Sequence, residues 1–287
     1  MKAAERILLG LLLVGLFAGI ARAETVNCTA IPSLPYTISI QGVYCLTHNL
    51  DTNMTTGNAI DITVNNVTID LNGFKLGGLS AGTATQTNGI YANEKKNITI
   101  RNGIVRGFSA GILLNDTGTL GESSGHLVED ILADQNRTYG VAVFGTGSVI
   151  RNNRVVLTGG YTGGNYALAV GVTAVGDDIR VLNNEVVNTF GQGTGAAGIG
   201  IYLVNSYRGF VQGNRVSLVT AEYGDNLARG IDINSSNNAV ITDNRIAGVG
   251  YGIYFRDGSG YGKYTNNLVD AASVQSYYGG TAVGNNY

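Results

Sequence analysis

From residue 59 onward, apolar and polar positions alternate over short runs, and no run keeps the 3.6-residue apolar stripe of an amphipathic helix. The pattern predicts many short strands and few helices. The runs share a beginning, a glycine followed by an aliphatic residue. Copies stand at Gly89-Ile90-Tyr91, Gly111-Ile112-Leu113, Gly140-Val141-Ala142, Gly171-Val172-Thr173, Gly200-Ile201-Tyr202, Gly230-Ile231-Asp232 and Gly252-Ile253-Tyr254, spaced by 22 to 31 residues. That period is the signature of a solenoid, in which each repeat is too short to bury its apolar face alone and stacks on its neighbours.

A second unit follows each of the first: an aliphatic strand, then Asn, then another aliphatic strand. Val149–Val155, Val181–Val186, Val211–Val216, Ile241–Ile246 and Tyr264–Leu268 are its copies, with looser versions at Ile98–Gly103 and Leu127–Asp130. A tight bend between two strands needs left-handed backbone, which Asn and Gly adopt at low cost. Asn153, Asn184, Asn214, Asn244 and Asn267 are expected to sit above one another and bond side chain to side chain as a ladder. Asparagines scattered through the loops of a β-sandwich would not keep this register.

These Gly-aliphatic and aliphatic-x-x-Asn-x-aliphatic repeats resemble those of the pectin-lyase-like superfamily. They look closest to the NosD-like, carbohydrate-binding-and-sugar-hydrolase type of exported bacterial protein. The segment Val67-Thr68-Ile69-Asp70-Leu71-Asn72-Gly73 is similar to an early coil of such proteins. The resemblance implies an all-β fold, a single-stranded right-handed parallel β-helix over residues 59–270. It implies little about activity, because the superfamily includes lyases, hydrolases, epimerases and non-enzymes.

The ends read differently. Lys2 and Arg6, an apolar run from Ile7 to Ile20, and Ala21-Arg22-Ala23 have the three-part layout of a secretory signal over residues 1–23. The run is shorter than the roughly 20 residues of a membrane span, so no span is expected after cleavage, and the destination is the periplasm or the exterior. Residues 24–58 are expected to form an N-terminal cap and residues 271–287 a C-terminal cap or tail. The only cysteines, Cys28 and Cys45, fall in the N-terminal cap. An exported chain permits a disulfide between them, worth about 3 kcal/mol on the chain-entropy model. Free or metal-binding thiols, with His48 as a nearby ligand, are the alternative.

Composition narrows the chemistry. With 18 Lys+Arg against 20 Asp+Glu, the chain has no basic stripe for nucleic acid. Two histidines, His48 and His126, exclude a multi-His metal centre; no cofactor is expected, and no motif supports a calcium site. Polygalacturonase-like relatives pair aspartates with Gly-His-Gly and Arg-x-Lys. Here Asp177-Asp178 and Gly125-His126-Leu127 echo that set only in part, and His126 reads as a strand-start residue.

If the aliphatic residue of each Gly-aliphatic unit points inward, the next points outward. That outward column is Tyr91, Leu113, Ala142, Thr173, Tyr202, Asp232 and Tyr254, and two residues on it is Asn93, Asn115, Phe144, Val175, Val204, Asn234 and Arg256. Tyr202, Asp232, Asn234, Tyr254 and Arg256 therefore form a candidate saccharide-binding patch. Rings suit the apolar faces of sugars, and Arg256 suits a uronate carboxylate. Glu222, Asp225, Asp232 and Arg256 are the candidates for catalysis, with Tyr254 or Arg256 as a base only if its pKa is depressed. Two functions stay open: a polysaccharide-binding protein that either cleaves or epimerises its ligand or simply holds it, and a non-catalytic structural or adhesion solenoid.

Overall fold

The structure, a computed structural model, describes residues 27–118, 121–160, 168–256 and 262–287. The expected signal, residues 1–23, lies outside the described residues. Every strand pairing is parallel, and the pairs form three ladders, visited in turn by each coil. Successive coils therefore superimpose.

The first ladder carries the Gly-aliphatic units. Ile60, Ile90, Ile112, Val141, Val172, Ile201, Ile231 and Ile253 pair rung to rung in one unbroken column, all buried. The second ladder stacks Ile69, Ile100, Val128, Ile150, Val181, Val211 and Ile241. The third stacks Leu76, Val105, Ala133, Val155, Val186, Val216 and Ile246. These columns meet in one core. A lone strand of three to seven residues buries almost nothing, so the stack is the smallest unit that excludes water. Crossovers between parallel strands are right-handed in nearly all proteins, and this coil is a right-handed parallel β-helix.

The bend between the second and third ladders holds the asparagine column. Asn153, Asn184, Asn214, Asn244 and Asn267 are buried. Each of the first four donates through Nδ2 to the Oδ1 of the next at 2.9 to 3.0 Å. The same Oδ1 accepts the previous ladder residue's backbone N–H, as Asn214 Oδ1 does from Asn184 at 2.8 Å. The left-handed residue, however, is the one before each ladder Asn: Asn152, Asn183, Gly213, Asp243 and Asn266 have φ between 53° and 67°. Turning and stacking are thus divided between two adjacent positions, not combined in one.

The repeated glycines owe their place to packing. A Cβ on Gly200 would lie 2.3 Å from Val216 Cγ1 and 2.6 Å from the carbonyl oxygen of Gly230; Gly171 and Gly140 meet the equivalent valines at 2.4 and 2.3 Å. The first ladder enters against core valines and the next rung's backbone, and only hydrogen fits. Gly200→Ala should cost about 2 kcal/mol by overpacking, lowering Tm by about 5 °C at this chain length. Gly118→Ala, whose Cβ would meet the flexible Glu94 carboxylate at 3.1 Å and Asp116 Oδ1 at 4.0 Å, should leave Tm within about 2 °C. Thermal melts of the two variants check the contrast.

At the N-terminal end, Cys28 and Cys45 form a disulfide, with Cα atoms 5.8 Å apart. It ties Thr29–Ala30 to Gly42–Cys45, which pair in register and continue onto Val67–Asp70. At the other end Tyr264 and Tyr277 stack with ring centroids 4.9 Å apart beneath the last core residues. Tyr277 Oη donates to the carbonyls of Asn267 and Tyr287, drawing the final residues over the last rung.

Candidate functional site

The register places the expected outward column as read from the sequence. Thr173 pairs with Tyr202, Tyr202 with Asp232, Asp232 with Tyr254, and Tyr254 with Tyr278. Adjacent rungs lie about 4.8 Å apart, so these side chains are neighbours although some 30 residues separate them in sequence.

Their environments differ sharply. Asp232 is 0% exposed, while Arg229 and Arg256 are 13% and 33% exposed at their side chains. Arg256 grips the carboxylate with two nitrogens, Nε to Oδ1 at 2.9 Å and Nη2 to Oδ2 at 2.7 Å. Arg229 Nη1 donates to Oδ2 at 2.8 Å. One carboxylate between two guanidiniums leaves a surplus positive charge. Both guanidiniums are backed by rings: Arg229 Cζ lies 4.5 Å from the Tyr254 ring centre, and Arg256 Cζ lies 5.2 Å from that of Tyr202. Tyr254 stacks on Tyr278 at 4.6 Å and meets Tyr251 edge-on at 4.8 Å. Asn234 Nδ2 donates to Tyr202 Oη at 3.0 Å and holds that ring in place. The aromatic faces and Asp232 together hold the arginines in fixed orientations, which lowers the entropic cost of using them.

Beside the arginines the surface sinks into a depression of about 340 Å³, lined by Tyr202, Arg229 and Arg256 together with Leu168, Ala196, Ala197, Ile199 and Leu227.

The remaining acids do not join Asp232. Glu222 accepts the Gly193 N–H at 2.8 Å, and Asp225, in the 3₁₀ turn Asp225–Leu227, accepts the Ser273 hydroxyl at 2.6 Å. Both are exposed. The groups considered as bases shift the wrong way for that role. Burial raises the Tyr254 phenol above its usual range. The hydrogen bond to Asp232 raises Arg256. Among the described residues, no group of three or more His, Cys, Asp or Glu side chains could hold a metal ion.

Arg229, Tyr251 and Tyr278 belong to this site and were not among the residues singled out from the sequence. Arg229 was within reach, because it immediately precedes the repeated Gly230. The same position holds Tyr139, Val170, Ile199 and Tyr251 in register on other rungs.

The partial echo of a hydrolase set is structural. Asp178 is ion-paired with Arg208, whose Nε lies at 2.7 Å, and Asp177 accepts the Tyr207 N–H at 2.8 Å. His126 is buried, takes the Ile98 N–H on Nδ1 at 3.2 Å and bonds Ser123 Oγ through Nε2 at 2.7 Å. Burial pushes its pKa from 6.5 down to about 4. The imidazole is therefore neutral in the native state and takes a proton more readily when unfolded. Its contribution is complete above pH ~6.5 and is lost as pH falls toward ~4, up to about 3 kcal/mol over that window. Comparing stability against pH for the wild type and His126→Asn checks this: the difference between the two curves should be constant above pH ~6.5 and shrink below it.

No protein-family model matches the sequence, and no curated protein matches it. Solved structures do. The enzymatically active domain of bacteriophage CBA120 tailspike protein 2 is 16% identical, with a TM-score of 0.53 over 90% of this chain and 38% of that one. The chain thus spans well under half the length of that domain. The A-module of the Azotobacter vinelandii mannuronan C-5 epimerase AlgE4 is 16% identical, covering 93% of this chain and 87% of that one, with a TM-score of 0.42. The tailspike of E. coli bacteriophage HK620, solved as a double mutant with a pentasaccharide, is 14% identical over 85% of this chain and 58% of its own, with a TM-score of 0.49. At such identities the likeness to the CBA120 domain speaks for the right-handed β-helix and for nothing finer.

Proposed function

We propose that this chain is exported and binds an acidic polysaccharide along the C-terminal half of the first ladder, holding it without cleaving it. The observation that carries this reading is the Arg229–Asp232–Arg256 triad seated on tyrosine rings: a surplus positive charge, fixed in place, beside flat apolar faces. Sugar rings pack on tyrosines, and fixed guanidiniums take a carboxylate or another anionic group through two parallel hydrogen bonds. Against turnover stand the buried Asp232, the separate commitments of Glu222 and Asp225, and a Tyr254 phenol raised out of reach of a neutral-pH base. Export is supported by the signal-like residues 1–23 and by the Cys28–Cys45 disulfide, a bond that persists in oxidising compartments.

The test is retention on immobilised alginate, pectate and glycosaminoglycans, run beside an ultraviolet assay for the unsaturated uronate that a lyase releases. Binding should appear without a rise in absorbance and should weaken as salt increases. Tyr202→Ala, which removes the ring behind Arg256 and keeps the three triad residues, should weaken it about fivefold, the value of one ring contact. A steady absorbance rise would overturn the non-catalytic reading. Absence of both retention and turnover on every glycan would leave the structural solenoid.

A further inference from the structure

We infer that the depression beside the arginines accepts one sugar residue carrying both an anionic group and an apolar substituent, of which an acetyl group is the simplest. The inference rests on the polysaccharide reading above and sharpens it to a substrate class.

Two observations lead to it. The first is an unmet donor. Arg229 spends Nη1 on Asp232, yet its Nε is buried and finds no hydrogen-bond partner among the described residues. Arg256 commits Nε and Nη2 to Asp232, which leaves Nη1 outside those bonds. A guanidinium has five N–H donors. The buried Nε is closed to a ligand, so the usable surplus lies with Arg256, 33% exposed at its side chain. Both arginines line the depression, and their excess charge over Asp232 selects an anion there.

The second observation is the rest of the wall. Besides Tyr202 and the two arginines, the lining is Leu168, Gly195, Ala196, Ala197, Ile199 and Leu227. These side chains offer a sugar hydroxyl neither donor nor acceptor. A plain uronate would bury hydroxyls there unpaired, at a real cost. A methyl group placed there instead leaves water for apolar contact. The volume of about 340 Å³ falls within the range of small-ligand sites, enough for one substituted sugar ring and not for a long stretch of chain.

The experiment compares one acidic polysaccharide in its naturally O-acetylated form with the same preparation after mild alkaline removal of the acetyl groups. Affinity for the full-length protein is measured by calorimetry or on an immobilised surface. The acetylated form should bind at least about fourfold more tightly, the value of one buried methyl. One variant narrows the cause: Leu227→Asn should bring the ratio of acetylated to deacetylated affinity toward one, and a thermal melt verifies that it is folded. Equal or tighter binding of the deacetylated form would overturn the inference and leave polysaccharide binding intact. Failure of both forms, and of the wider glycan panel, to bind would overturn the polysaccharide reading and this inference with it.

Discussion

Asp232→Ala destabilises the chain by about 3–5 kcal/mol, the cost of stripping the partner from buried charge. Read from sequence, Asp232 is an outward-facing contact residue; in the structure its side chain is 0% exposed. The carboxylate is fully covered and receives hydrogen bonds from both Arg229 and Arg256. Without it two guanidiniums face each other across a partly buried gap, with like charge and no counter-ion. At this chain length roughly 2–4 °C of Tm is lost per kcal/mol, so the melt should fall by about 6–20 °C. Asp232→Asn should fall nearly as far, because a neutral amide keeps the shape and loses the charge. Glu222→Ala, at an exposed carboxylate, should stay within about 1 kcal/mol of the wild type. Asp232 is thus a positioning residue whose effect on any ligand passes through the arginines.

Asn214→Ala should cost about 4 kcal/mol. Its Oδ1 is the acceptor for both the backbone N–H and the Nδ2 of Asn184, at 2.8 and 3.0 Å. Its own Nδ2 donates to the Val181 carbonyl and to Asn244 Oδ1 at 2.9 and 3.0 Å. Alanine orphans two donors in a dry site, each worth about 1–3 kcal/mol when left unpaired. Replacing Gly213, the left-handed neighbour, with Asn should be tolerated, since Asn183 and Asn266 hold that position in other rungs. Urea titrations of Asn214→Ala and Gly213→Asn test the division of labour: a large drop in midpoint for the first and a small change for the second. The reverse order would mean that turning and not stacking dominates at this bend.

The columns of the fold were legible because a repeat fixes registration: once Gly200-Ile201 and Gly230-Ile231 are aligned, every later position follows at two-residue period. The bend was misread by one residue. In Asn152-Asn153 and Asn183-Asn184 the two positions look alike. Gly213-Asn214 and Asp243-Asn244 separate them, because the first member varies among residues that tolerate left-handed backbone and the second is Asn in each of these copies. The placing of Tyr202, Asp232 and Tyr254 on adjacent rungs was legible, and the burial of Asp232 was not. Strand alternation places Asp232 outward, and nothing in a local pattern says that long side chains three positions before it and one rung later will close over it. Tyr278 escaped because a shift of register between Val249 and Tyr251 breaks the spacing to the last rung.

The claim that the arginine triad is the ligand-binding centre meets its most direct test in a triple variant, Arg229→Met, Asp232→Leu and Arg256→Met. Apolar replacement of a whole buried ion cluster removes every charge together and strands none, so it is commonly neutral or stabilising. The triple variant should melt at or above the wild-type temperature and lose its affinity for acidic polysaccharide by at least tenfold. A triple variant that is folded and still binds as tightly as the wild type would contradict the account.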